Sequence, residues 1–214
     1  MAEGLTLPRI KVCGLTDAEA ARAAAAAGAD AIGLVHFAPS PRSLTADEAA
    51  RLVAGLPEGV LPVAVLVDAT PETALAFAQE AGARAVQLCG TERAADWRGF
   101  PLAVLRRVAV AEGAAGELAA WRGVALGFVL DHPAGPGGSG RAVDLELAAR
   151  LAAQAPCLLA GGLDEHNVSA RVHAVRPAGV DASSRLELAP GRKDAERVRA
   201  FVAAAHAALV EVEA

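Results

Sequence analysis

The chain has 214 residues, 54% of them hydrophobic and 21% charged, with a formal net charge of −5. That apolar content excludes disorder as a description of the whole chain, and the acidic balance lacks the basic face of a nucleic-acid binder. Cys13, Cys89 and Cys157 form an odd set with no C-x-x-C spacing, which argues against a disulfide framework and a zinc site.

In chain order, short β-branched or leucine-rich runs alternate with longer alanine-rich stretches. RIKVCGL precedes DAEAARAAAAAG, AIGLVHF precedes TADEAARLVAGL, and LPVAVLVD precedes TPETALAFAQEAG. The runs AVQLCG and LAVLRRVAV are followed by TERAADW and EGAAGELAAW, the least regular of the helical stretches. ALGFVLD is followed by DLELAARLAAQ, and CLLAGGL and GVDASS lead to the last stretch, DAERVRAFVAAAHAAL. Thr16 or Asp17, Thr45, Thr70 and Asp144 stand where N-caps belong, and Gly28, Gly55 and Gly82 where helices stop.

Strand and helix in alternation predict a parallel sheet, because parallel neighbours need a crossover. The strand runs are apolar on both faces, as sheets covered by helices require. Eight such units predict an α/β fold of one domain over residues 1–214, a closed (β/α)8 barrel of the TIM type. An open doubly wound sheet would carry a G-x-G-x-x-G turn after its first strand, where this chain has CGLTDAE. No apolar run reaches the ~18 residues of a membrane span, and MAEGLTLPRI lacks a secretory pattern. A cytoplasmic protein with no membrane partner is expected.

In such a barrel the chemistry belongs at the C-terminal strand ends. Cys13 ends the first strand, Asp131 the sixth, Gly161 and Gly162 the seventh, and Asp181 to Ser184 the eighth. The second loop, HFAPSPRSL, carries Arg42. The sixth, DHPAGPGGSGRAVD, is long and glycine-rich, as a flap over a ligand would be. Glycines and serines after strands seven and eight suit a phosphate, with backbone N–H groups and hydroxyls as donors. Cys13 and Asp131 are a candidate base and acid. On the residues alone, the reading favoured for Cys13 is filler of the barrel's top layer, with Lys11 beneath it paired to a buried carboxylate.

KVCGLT, GADAIGLVHFAPSPRSL, AVQLCG, the Asp131–Asp144 loop, LAGGLDEHNV and GVDASSRLELAPGRKD together resemble phosphoribosylanthranilate isomerases of tryptophan biosynthesis, over nearly the whole chain. The resemblance implies an Amadori rearrangement of a small phosphorylated substrate, without metal or organic cofactor. By it, Asp131 would protonate the furanose ring oxygen and Cys13 would take the C2′ proton. Arg42 would hold the anthranilate carboxylate, Asp181 the sugar hydroxyls, and Gly162, Ser183 and Ser184 the phosphate. Family members occur as monomers and as homodimers, so either state is open.

Two positions depart from the family pattern. Arg185 replaces a glycine in SSRLE and would be strained if that position needs positive φ; Cys89 stands in QLCG where the family has histidine. The alternatives are a related or bifunctional histidine-pathway sugar isomerase, a lysine-dependent aldolase using Lys11, and a non-catalytic barrel binding a phosphorylated ligand.

Overall fold

A computed structural model describes residues 4–135, 138 and 140–213. Eight strands close a parallel barrel in sequence order: β1 (Ile10–Cys13), β2 (Ala31–His36), β3 (Leu61–Leu66), β4 (Ala85–Leu88), β5 (Ala103–Ala109), β6 (Gly127–Asp131), β7 (Cys157–Leu159) and β8 (Gly179–Ala182). The pairing of Lys11 with Asp181 closes the ring between β1 and β8. Around it run α1 (Ala18–Ala26), α2 (Ala46–Ala54), α3 (Pro71–Ala81), α4 (Ala114–Ala120), α5 (Leu145–Ala152), α6 (Val168–Val175) and α7 (Ala195–Glu213). The expected barrel is the observed one.

Local chemistry sets the helix ends. Thr45 and Glu48 make a reciprocal capping box at α2, as Thr70 and Thr73 do at α3. Asp17, not Thr16, caps α1 by accepting from the Ala20 amide; Thr16 Oγ1 donates instead to the Gly191 carbonyl. Gly82 closes α3 in the left-handed conformation at φ +71°. The stretch TERAADW yields only a 3-10 turn, Ala94–Trp97, with no side-chain cap. Its connection is held by Trp97 packing on Phe100 rather than by an amphipathic helix.

Side chains alternate across each strand. Outward residues such as Val12, Leu34, Val86 and Leu130 join the helices in the main core. Inward, the lower barrel is filled by Ala31, Leu61, Val63, Ala85, Leu105, Val129, Leu158 and Ala160, with Leu5 and Leu7 of the N-terminal segment packed against them. The upper interior is different, holding Lys11, Gln87, Asp131 and Asp181, all buried. After β8 the chain forms a 3-10 turn (Ser184–Leu186) and a small hairpin of β9 (Glu187–Ala189) and β10 (Arg192–Lys193) before α7. Among the described residues no helix is long and apolar enough to cross a membrane.

Candidate active site

A cavity of about 310 Å³ opens at the C-terminal ends of the strands. The structure brings all seven residues singled out in the sequence to its wall: Cys13, Arg42, Asp131, Gly162, Asp181, Ser183 and Ser184. Cys13 on β1 and Asp131 on β6 are separated by β7 and β8. Three strand spacings of ~4.8 Å put them roughly 14 Å apart around the wall, leaving a ring-sized gap across the mouth.

Cys13 pairs in register with Gly33, and a Cβ on Gly33 would lie 2.6 Å from the Cys13 sulfur. The glycine on β2 therefore clears the space the thiol occupies. Cys13, Cys89 and Cys157 are free and buried. Burial pushes the Cys13 thiol above its usual value, and the Lys11 ammonium offsets part of that rise. Cys89 lies in the same apolar patch with Val35 and Val65 and is pushed up to about 12 by burial. In place of an imidazole, its sulfur accepts a 3.4 Å contact from Gln87 Nε2. Gln87 Oε1 is buried without a hydrogen-bond partner and lines the cavity.

Lys11 Nζ donates to Asp181 Oδ1 at 2.9 Å and is wholly buried. Burial alone would lower the ammonium's pKa, but Asp181 and, after it, Cys13 together more than offset this and raise it. The buried carboxylate that pairs with Lys11 is thus itself one of the site candidates. Asp131 Oδ1 accepts the His132 amide at 2.8 Å, and its Oδ2 lies 3.6 Å from Arg107 Nε.

Arg107 was not singled out in the sequence, although a signal existed. Two arginines adjacent in a strand must face opposite sides, so one of Arg106 and Arg107 has to enter the barrel. Arg106 faces out, paired with Glu92 at 2.6 Å and Glu117 at 2.7 Å and lying over Trp121. Arg107 faces in, beside Asp131.

Arg42 reaches the mouth from the loop after β2. Its Nε and Nη2 donate to the two carboxylate oxygens of Glu187 at 2.7 and 2.8 Å. Glu187 Oε1 also accepts from Lys193 Nζ at 2.6 Å. Lys193 Nζ in turn donates to the Ser183 carbonyl at 3.1 Å, and Ser183 Oγ donates to the Cys13 carbonyl at 3.0 Å. Glu187 and Lys193 also went unnoticed in the sequence, because a charged pair in a loop reads as solvated.

The seventh and eighth loops form the concave end. Gly161 and Gly162 have φ of +83° and +67°, and a Cβ on Gly162 would meet the Gly140 carbonyl at 2.5 Å. Only glycine fits there. Arg185 lies in the 3-10 turn and is not among the residues with positive φ, so the anticipated strain does not arise. Its Nε contacts the Gly140 carbonyl at 3.3 Å, and Nη1 lies 3.5 Å from Asp164 Oδ2. Pro136, Gly137 and Ser139, part of the sixth loop expected to act as a flap, lie outside the described residues.

Residues 10–204 match the family model described as N-(5'phosphoribosyl)anthranilate (PRA) isomerase. The N-(5'-phosphoribosyl)anthranilate isomerase of Desulforudis audaxviator (strain MP104C) is 40% identical over 203 residues, covering 94% of this chain and 98% of that one. The crystal structure of phosphoribosyl anthranilate isomerase from Thermus thermophilus aligns with a TM-score of 0.85 at 33% identity, covering 93% of this chain and 98% of the other. A phosphoribosyl anthranilate isomerase in complex with reduced 1-(o-carboxyphenylamino)-1-deoxyribulose 5-phosphate aligns at 0.83 and 31% identity, over 94% and 100% of the two chains.

Proposed function

The chain belongs to the N-(5'-phosphoribosyl)anthranilate isomerase family of tryptophan biosynthesis, and we propose that Cys13 and Asp131 are the base and the acid of its reaction. The enzyme converts N-(5'-phosphoribosyl)anthranilate to 1-(2-carboxyphenylamino)-1-deoxyribulose 5-phosphate. The observation that carries the residue roles is the cavity itself, which has a thiol and a carboxyl group on separate strands and a glycine cradle between them.

Asp131 gives a proton to the furanose ring oxygen, the C1′–O bond breaks, and the nitrogen lone pair forms an iminium. Cys13 then removes the C2′ proton, and the electron pair flows to the nitrogen to give an enolamine, which tautomerises to the ketone. Burial raises the thiol's pKa above its ordinary value, so the thiolate is a minor species at neutral pH. The cationic iminium compensates by acidifying the C2′ proton, so a minor thiolate population suffices. Each such proton transfer contributes about 10²–10⁴ in rate.

The phosphate sits against the backbone of Gly162 and Ser183 and the hydroxyl of Ser184, and the close packing of Gly162 on the Gly140 carbonyl holds that cradle in shape. Asp181, held through Oδ1 by Lys11, offers Oδ2 to a sugar hydroxyl. Arg42 receives the anthranilate carboxylate. Lys11, clamped as an ammonium, is unsuited to Schiff-base chemistry.

The test is turnover of the fluorescent substrate by purified protein. Cys13→Ala and Asp131→Asn are each expected to lose at least 10² in kcat with substrate binding retained. Full activity in both would overturn the assignment.

A further inference from the structure

Arg42 has a side edge, Nε with Nη2, and an end, Nη1 with Nη2. The side edge is fully engaged by Glu187. Nη1 has no hydrogen-bond partner among the described residues, and Arg42 lines the cavity. A lone Glu187 on Arg42 would make a neutral pair, a poor receptor for an anionic substrate. Lys193 changes that balance. Its ammonium, 5% exposed as a residue, lies against the same Glu187 oxygen at 2.6 Å.

We propose that Lys193 and Glu187 are positioning residues for the arylcarboxylate. Glu187 fixes the guanidinium by its side edge so that the end faces the cavity, and Lys193 neutralises Glu187 so that the triad keeps one net positive charge for the substrate carboxylate. The proposal rests on the reading that Arg42 receives that carboxylate.

The geometry supports this division of labour. A guanidinium can make one two-point contact along its side and another at its end, so the inner carboxylate and the substrate need not compete. A buried Arg–Glu–Lys cluster also costs more desolvation than an apolar substitute would, which leaves its presence unexplained by stability alone. The triad further joins the loop after β2 to the hairpin after β8. Through Ser183 it reaches the backbone of Cys13, so the carboxylate end is built in fixed relation to the base.

The experiment compares two competitive inhibitors, reduced 1-(o-carboxyphenylamino)-1-deoxyribulose 5-phosphate and the same compound without its aryl carboxyl group. The inhibition constant of the second divided by that of the first isolates the carboxylate, and any change at Ser183 or the phosphate cradle cancels. Lys193→Met is expected to lower that ratio about tenfold, as loss of a unit charge within a few ångströms implies. Lys193→Gln, which keeps a donor to Glu187 and Ser183, gives the same fall should the methionine variant not fold. Adding Glu187→Gln to Lys193→Gln restores the net charge and brings the ratio back to within about threefold of the parent, a rescue that mere structural damage would not produce.

An unchanged ratio in the Lys193 variants, or no recovery in the double variant, overturns the proposal. Arg42→Gln separates the two levels. If it collapses the ratio while the Lys193 variants do not, only the triad's role falls. If it leaves the ratio unchanged, Arg42 is not the carboxylate's receptor and both readings fall.

Discussion

The two halves of the barrel interior share one architecture and differ in chemistry. The lower half is packed with alanine, valine and leucine and closed from below by Leu5 and Leu7. The upper half places Gln87, Arg107 and Asp131 two residues beyond Ala85, Leu105 and Val129 of the same strands, and with them Asp181 lines a cavity while its partner Lys11 lies wholly buried. Burying those polar groups costs free energy that the lower half and the helix-covered outer face must offset. One strand thus serves both purposes: β6 places Val129 in the packed layer and Asp131 in the working one.

That contrast predicts separable losses. Leu158→Ala, in the lower layer at zero exposure, is expected to cost about 2–5 kcal/mol of stability. Its kcat should stay within about twofold of the parent where it remains folded. Denaturant unfolding and steady-state kinetics on one preparation check both, and a large kcat loss at unchanged stability would erase the distinction between the halves.

Gly162→Ala tests the opposite case. The added methyl meets the Gly140 carbonyl and needs a left-handed backbone, so KM should rise about tenfold or more. Inorganic phosphate, as a competitive inhibitor, should weaken in parallel.

The smallest effect concerns pH. Burial would raise the Glu187 carboxyl, but Arg42 and Lys193 more than offset this and hold it below its usual 4.5. A carboxyl with a depressed folded-state pKa stabilises the fold above its unfolded value, and that share is lost as pH falls through the folded one. Glu187→Gln should therefore flatten the decline of Tm between about pH 5 and pH 3, whereas a slope as steep as the parent's would show that the triad contributes nothing to acid sensitivity.

Much of this was legible in the residues. Alternating apolar runs and capped alanine-rich stretches announced eight strands and most helices, because the core demands periodicity and helix ends demand partners. TERAADW failed for the same reason: without a cap or an apolar stripe it closes only a 3-10 turn. Cys13, Arg42, Asp131 and the Gly-Ser loops stood out by their position at strand ends. Arg107 was hidden because a strand apolar on both faces does not reveal which side is inward. The Glu187–Lys193 pair was hidden because nothing local says that a charged hairpin folds back over a loop about 145 residues upstream.

The sequence by itself determined the order of elements, the strand ends and the types of groups available there. Those follow from local periodicity and backbone chemistry. Only the closed barrel decided that Lys11 meets Asp181, that Gly33 makes room for a thiol, and that Arg42 shares a carboxylate with Lys193. Such pairings depend on register and on which face of each strand turns inward, and the chain acquires both when its first and last strands meet.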